Sequence, residues 1–357
     1  MYMKSEKRVY ICHTFYHAYI AAVKELNAGA RGEATLVLST MSNDFAGLKE
    51  RAEKTGLFRD VYYYDEQTEA ASEAVKAQHV NRGSRIANFF QRIRYTRMLA
   101  ELQEAHIPVD LSGYGQINVF CDADPIGYYL NYKKLPYHAI EDGLNTERLN
   151  NFARNENPGA FGIKRFFAAT GLIFMPSGYS RYCIDYEVND ISVCKYPPPN
   201  IVEQPRDEMF ARLTEADHEL LVRMFIEDAE KLLEQIRGQT AGRPKVLILT
   251  EPLCEPEVRK RLFRDIVAEY EKTHAILIKP HPRDVLDYEA LFPEHIVIRG
   301  RFPMEVMNDI PGLHVDKLIS VITQVENIHF ADEIVYLGLD FMDRYEDPAL
   351  HRKNERL

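Results

Sequence analysis

Two short runs of chemically capable residues lie in opposite halves of the chain: Glu141-Asp142-Gly143 and Lys279-Pro280-His281-Pro282-Arg283-Asp284. Each follows an apolar tetrapeptide that reads as a buried strand, Tyr137-His138-Ala139-Ile140 before the first and Ala275-Ile276-Leu277-Ile278 before the second. Ligands of α/β folds collect at the carboxyl ends of parallel strands. Glycine after an acidic pair permits a sharp turn or a positive φ, so the Asp142 carboxylate projects off the strand end. There it can take a proton from an acceptor hydroxyl, provided burial raises its pKa toward neutrality. The alternative is that Asp142 or Glu141 caps a helix starting at Leu144. In the second run, two prolines keep the backbone extended and aim Lys279 and His281 at one place. A departing phosphate gathers negative charge, and these two side chains can meet it. The alternative is a surface turn with an incidental histidine; His274 and His295, which lack such surroundings, read as structural. A carboxylate on one side and an imidazole with a lysine on the other suit a transferase, with the base on the acceptor side and the leaving group neutralised on the donor side.

The elements needed to position these residues are legible in outline. Arg8–Cys12 reads as a first buried strand, His13–His17 as a turn, Ala18–Leu26 as a helix closing at Asn27 and Gly29, and Thr35–Leu38 as a second strand. This β-turn-α-β opening begins a doubly wound domain. Residues 67–105 are helical by periodicity, Ile117–Cys121 is a further strand, and Gly127–Leu130 starts the helix leading to the Glu141 strand. Pro197-Pro198-Pro199 can continue neither a helix nor a central strand and marks a linker. A long helical segment over Glu208–Ile236 and a Gly/Pro break at Gly238–Pro244 follow. Lys245–Thr250 then opens a second α/β alternation, with a helix at Glu257–Glu271 and strands at Ala275–Ile278, Ile296–Ile298 and Lys317–Val321. The expected architecture is α/β of the GT-B class, two Rossmann-like doubly wound domains facing across a cleft. Residues 1–195 form the acceptor-side domain, 196–244 the linker and helical connection, and 245–357 the nucleotide-sugar-binding domain, whose last helix can pack back on the first.

Composition narrows the function. The chain has 357 residues, 46% of them hydrophobic, which is enough for two cores. A net charge of −10 argues against a general nucleic-acid binder. Five scattered cysteines without a Cys-x-x-Cys pair fit reduced thiols in the cytoplasm. The N-terminal apolar stretch is broken by His13, His17 and Lys24, so it is not a signal peptide. No window approaches the ~18 apolar residues of a membrane span, so any membrane contact is peripheral. Asp122-Ala123-Asp124 imitates the Asp-x-Asp metal site of GT-A glycosyltransferases; within two α/β domains it reads as acceptor-side lining or helix capping, and no metal is expected. Arg82, Arg85, Arg92, Arg94 and Arg97, interleaved with Phe89 and Phe90, could face an anionic membrane or a phosphorylated glycolipid. A solvated helix with inward phenylalanines is preferred, as is core packing for the apolar residues of Lys164–Tyr182.

The two motifs resemble the D/E-D/E-G and HP motifs of bacterial sialyltransferases. Thr14-Phe15-Tyr16-His17 and the Lys-Pro-His-Pro-Arg-Asp run most resemble glycosyltransferase family 52, the lipooligosaccharide sialyltransferase group. The resemblance implies a metal-independent, inverting GT-B enzyme that uses CMP-activated sialic acid or a related nonulosonic acid. It implies Asp142 as general base and His281 as the residue that binds, and protonates, the CMP phosphate, with Lys279 and Pro282 beside it. The family also places a Ser/Thr pair near a later strand end to hold the donor phosphate. Here Ser320-Val321-Ile322-Thr323 lacks adjacent hydroxyls, and Thr323 is the best candidate because it could start a helix whose amides favour an anion. Glu305, in a loop entering a helix, occupies the place of a ribose-binding glutamate, or is an ordinary helix-start acid. Thr250-Glu251 lines the same cleft without an assigned role. The expected partners are a CMP-sugar donor and a glycan or glycolipid acceptor of lipooligosaccharide or capsule, with no cofactor and no nucleic acid. The expected place is the cytoplasm or the cytoplasmic face of the inner membrane. The alternatives are another nucleotide-sugar donor or a non-catalytic nucleotide- or glycan-binding protein.

Overall fold

The computed structural model describes residues 7–29, 31–41, 43–45, 47–66, 83–144, 152–155, 160–240, 242–281, 284–323, 325 and 328–351. Arg82, Pro282, Arg283 and the 67–82 part of the expected long helix lie outside them. The chain divides into two compact units, 1–213 and 214–357.

Unit 1 is built on β1 (Arg8–Cys12), β2 (Thr35–Ser39), β3 (Asp60–Tyr64), β4 (Gln116–Phe120), β5 (Tyr137–Ile140), β6 (Cys183–Val188) and β7 (Ile201–Glu203). They form one sheet in the order β3-β2-β1-β4-β5-β6-β7, with every pair parallel. Val9, Ile11, Val37, Val119 and Ala139 are buried in its core, as expected of strands covered on both faces. Helix α1 (Phe15–Ala28) starts where the Thr14 hydroxyl accepts the His17 N–H and stops at Gly29 in the left-handed conformation. The other helices that matter here are α2 (Leu48–Thr55), α3 (Arg85–Glu104), α4 (Pro125–Lys133), which has proline in its first turn, α5 (Phe161–Ala169) and α6 (Arg206–Phe210).

Unit 2 carries β8 (Lys245–Leu249), β9 (Ala275–Lys279), β10 (Ile296–Val297), β11 (Val315–Ser320) and β12 (Ala331–Tyr336), parallel throughout in the order β10-β9-β8-β11-β12. Helices α7 (Glu215–Phe225), α8 (Ala229–Thr240) and α9 (Pro256–Tyr270) accompany it, and Val246, Ile248, Leu262, Phe263, Ile276 and Ile278 form the core. Strand order reverses between β1 and β4 in unit 1 and between β8 and β11 in unit 2. These two crevices, at the carboxyl strand ends, are where such sheets bind ligands.

Two expectations change. The Glu208–Ile236 stretch is not one helix. Thr214 and Asp217 form a capping box that starts α7 afresh, and Ile226 is extended and ends it. Residues 201–203, expected in the connection, instead extend the first sheet, and α6 behind them belongs to unit 1. Its Arg206 is buried between Glu187 (2.6 Å) and Glu141 (3.7 Å).

The turn from β4 into α4 is tight. Cys121 takes a positive φ of 57°, uncommon for a side chain of that kind, and α4 comes so close that a Cβ on Gly127 would lie 1.9 Å from the Asp122 carbonyl oxygen and 2.8 Å from the Phe174 ring. Gly127→Ala is therefore expected to destabilise the protein by about 1–3 kcal/mol or more, read as a lower urea midpoint. An unchanged midpoint would mean that the turn is free to shift.

Candidate active site

The β1–α1 turn places two histidines at the carboxyl edge of the first sheet. The His13 backbone N–H donates to His17 Nδ1 (3.1 Å), which fixes the proton of His17 on Nε2. That Nε2–H faces Asp142 twice, its carbonyl oxygen at 2.6 Å and its carboxylate Oδ1 at 3.0 Å. His17 is fully buried and stacks on Phe120, with ring centroids 4.6 Å apart and 11° between planes. Burial lowers its pKa against the pull of Asp142, so the ring is neutral. The Asp142 carboxylate is 53% exposed. Asp142 therefore projects from the strand end toward solvent while a neutral imidazole holds it from behind.

His13 differs in charge. Its Nδ1 faces the Phe120 carbonyl (3.1 Å), and its Nε2 faces Glu66 (2.7 Å) and Asp124 (3.5 Å). Both nitrogens point at acceptors, the arrangement of an imidazolium. Burial opposes that charge, but Glu66 and Asp124 outweigh it and raise the pKa to about 9. Burial pushes Asp124 up to about 7, with His13 pulling the other way.

The remaining carboxylates are tied down. Asp122 accepts from the backbone of Ser177 (2.6 Å) and Gly178 (3.3 Å) and from the Tyr137 hydroxyl (2.9 Å); burial lifts it to about 6 in spite of these bonds. Asp122 thus anchors the 177–178 turn. Asp124 stands at the N-cap position of α4 but makes no side-chain cap bond and turns to His13 instead. Glu141 is buried and accepts the Asn189 N–H at 2.7 Å.

In unit 2 the β9 run leads into an open pocket of about 240 Å³ lined by His281, Asp287, Tyr288, Ile298, Gly300 and Arg301, among others. The His281 N–H donates to Thr250 Oγ1 (3.1 Å). Asp284 fixes the loop from below, accepting from Arg259 (2.6 Å) and the Tyr288 hydroxyl (2.8 Å). Lys279 turns inward. Its Nζ donates to the carbonyls of Pro280 (3.2 Å) and Gly300 (3.1 Å) and lies 4.1 Å from the Phe302 ring centroid, and burial pushes its pKa down to about 7. In this structure it braces the pocket wall, whereas the sequence pattern suggested a phosphate ligand.

The Ser320–Thr323 segment also differs from expectation. Ser320 donates to the Thr323 carbonyl (2.8 Å), and among the described residues no helix starts at Thr323. The N–H groups of Ile322 (3.1 Å) and Thr323 (2.7 Å) donate to the buried Glu251, whose pKa is raised by burial against these bonds. Glu305 is partly covered in a 3₁₀ turn, Met304–Asp309, which α7 holds through His218 and Asp309 (2.5 Å). Burial pushes its carboxyl to about 7. The sequence reading placed His13, His17 and Glu251 without giving any of them a role, and did not single out Glu66. The usable signal was the His13/His17 spacing immediately after the first buried strand.

Two Rossmann-like doubly wound units in series, each with chemically capable groups at its strand ends, are the GT-B architecture. The fold is similar to the crystal structure of an α/β-galactoside α-2,3-sialyltransferase from Photobacterium phosphoreum (TM-score 0.52, 12% identity, covering 92% of this chain and 89% of that one). It is also similar to a 2,6-sialyltransferase of Photobacterium sp. JT-ISH-224, solved with CMP and lactose (TM-score 0.55, 11% identity, 92% and 71% covered). The chain belongs to glycosyltransferase family 52, whose profile matches residues 114–323, more than half of its length and inclusive of both motifs. An uncharacterized protein of Haemophilus influenzae is 24% identical over 225 residues, 60% of this chain and 67% of that protein.

The His13 pair gives a pH prediction. Because its folded pKa of about 9 lies above the ordinary 6.5, its contribution is complete below about pH 6.5 and is lost as pH rises through about 9. The wild-type protein is expected to lose on the order of 1–3 kcal/mol of stability across that window. His13→Gln should start less stable and show a flatter profile. Parallel profiles from urea midpoints at pH 6.5, 8 and 9.5 would refute the assignment.

Proposed function

We propose that this family 52 glycosyltransferase moves sialic acid, or a related nonulosonic acid, from a CMP-activated donor to a glycan hydroxyl of lipooligosaccharide or capsule, with inversion and without a metal. The observation that carries the proposal is the half-exposed Asp142 carboxylate, held at a strand end by the neutral His17 ring. In this reading Asp142 takes the proton of the acceptor hydroxyl as its oxygen attacks the anomeric carbon. The bond from that carbon to the phosphate oxygen breaks on the opposite face, and CMP leaves with the electron pair. His281 meets the phosphate in the unit 2 pocket and protonates it on departure, and Glu305 is the candidate for the ribose hydroxyls. CMP departs carrying a single phosphate, whose developing charge the proton from the imidazole neutralises. The sialyltransferase solved with CMP and lactose supports a nucleotide-sugar donor and a glycan acceptor by likeness of fold. A cytoplasmic setting fits five cysteines that form no disulfide.

One observation favours a second donor class. The amides of Ile322 and Thr323, where the family resemblance places donor-phosphate contacts, hold Glu251. A different nucleotide-sugar that bypasses this segment fits that arrangement. Thermal shifts with CMP, UDP, GDP and CDP separate the two, and stabilisation by UDP or GDP with none by CMP would select the second.

Turnover of a CMP-sugar, assayed in EDTA, tests the roles. Asp142→Asn is expected to lower kcat by roughly 10²-fold or more while leaving the CMP-induced thermal shift unchanged. Near-wild-type turnover would return Asp142 to a structural role. His281→Ala is expected to reduce both turnover and the CMP shift, because the imidazole contacts the phosphate before and during bond cleavage. A full CMP shift in that variant would remove His281 from the donor site.

A further inference from the structure

At the amino edge of the second sheet, away from the strand ends described above, three metal-ligating side chains share one face. Strands β11 and β12 pair with Val315 beside Ala331 and Lys317 beside Glu333, so Asp316 lies beside Asp332. Side chains alternate along a strand, which puts His314, two residues before Asp316, on the same face as both aspartates. One donor atom from each of the three lies within 4.8 Å of the other two. His314 Nε2 and Asp332 Oδ2 are 3.2 Å apart. Neighbouring ligands of an ion bound at about 2.0–2.1 Å lie roughly 3.0–3.4 Å from each other. The His314 and Asp332 side chains are 52% and 66% exposed, so drawing the third ligand in takes rotation in solvent and no repacking of the core.

Asp316 is already fixed and charged. Its Oδ2 accepts the Lys245 N–H at 2.7 Å, and that bond holds its carboxyl below the ordinary range. One such bond uses one of the roughly four lone-pair sites of a carboxylate. Two carboxylates side by side on neighbouring strands repel each other, and His314 interacts with both of them. Strand β12 is also the outer strand of its sheet, and most of its side chains are exposed. On the opposite face the Lys317–Glu333 ion pair links it to β11. An ion held on this face would relieve the repulsion and add a second link.

We propose that His314, Asp316 and Asp332 bind a divalent transition-metal ion that clamps β12 to β11. One imidazole with two carboxylates suits Zn²⁺ first and Mn²⁺ second, whereas Mg²⁺ and Ca²⁺ favour oxygen ligands throughout. The ion takes the place of a proton on Nε2, and water completes its shell. The inference does not rest on the function proposed above. The six residues of β11 span roughly 20 Å between this edge and the carboxyl edge, so the ion acts on the stability of the sheet and takes no part in transfer.

Titration calorimetry of the full chain, treated with EDTA and desalted, with Zn²⁺, Mn²⁺ and Mg²⁺ tests the site without donor or acceptor. Zn²⁺ is expected to bind, to raise the melting temperature by a few degrees and to slow hydrogen exchange of the β12 amides, with no effect of Mg²⁺ at the same concentration. His314→Gln and Asp332→Asn change exposed side chains and should leave the metal-free melting curve unchanged. Each should weaken Zn²⁺ binding at least ten-fold and abolish the protection of β12. Failure of the wild-type chain to bind Zn²⁺ would overturn the proposal. So would equal affinity in the wild type and both variants, which would make the ion adventitious and held by other groups. Binding without protection of β12 would overturn the clamp.

Discussion

One imidazole ring ties together the strand ends on which the carboxyl edge of the first sheet depends. In the order β1-β4-β5 the first and last of these strands are not neighbours, yet His17 reaches all three. Its Nδ1 accepts from the residue after β1, its face lies on Phe120 at the end of β4, and its Nε2–H donates to Asp142 after β5. The arrangement requires the neutral ring. A proton on Nδ1 would set two N–H groups against each other in a buried place, which costs the desolvation of both. Burial, by lowering the pKa of His17, keeps the ring in the form the turn needs.

Unit 2 solves the same problem with a carboxylate. The strand order reverses between β8 and β11, and Glu251, after β8, accepts the amides of Ile322 and Thr323, after β11. A crevice that could present backbone N–H groups to an anion is thereby filled from within the chain. Phosphate recognition, in the proposed reaction, then falls on the pocket next to it, where Thr250 and Asp284 hold the His281 loop and Lys279 ties the end of β9 to Gly300.

Strands with continuous apolar runs were legible in the sequence: β1, β2, β4, β5, β8, β9, β10 and β11 all lie within a residue or two of their expected bounds. Strands β3, β6, β7 and β12 were not read. Asp60-Val-Tyr-Tyr-Tyr and Cys-Ile-Asp-Tyr-Glu-Val mix polar with apolar positions, and β7 and β12 lie at sheet edges where burial imposes little pattern. The break before α7 was written in Thr214-x-x-Asp217, but a periodic helical pattern on both sides hides a cap unless it is sought. Asp142 and His281 were singled out as candidates because each follows a buried run. The buried carboxylates around them were harder to find, because Glu66 and Glu251 act on residues 53 and 72 positions distant. Spacing along the chain carries no trace of such contacts. Lys279 shows the converse difficulty: its place in the motif suggested a side chain aimed at the cleft, whereas it turns inward and holds the Pro280 and Gly300 carbonyls.

The acidic residues at the carboxyl edge of unit 1 divide by what they face. Asp122 is occupied by two backbone amides and a tyrosine hydroxyl, Glu141 by the Asn189 amide and the nearby Arg206, and Glu66 by the His13 ring. Asp124 shares that ring and lies largely covered. Each of these is a buried charge or polar group whose removal would leave its partner unsatisfied, so each is committed to keeping the edge folded. Asp142 alone in this set holds its carboxylate half in solvent, and its link to His17 runs through the backbone carbonyl as well as the side chain. The backbone bond can keep the turn in place while the carboxylate changes protonation state. That separation of the anchoring contact from the solvent-facing carboxylate is what the proposed general base needs at this position, and it sets Asp142 apart from the acids around it.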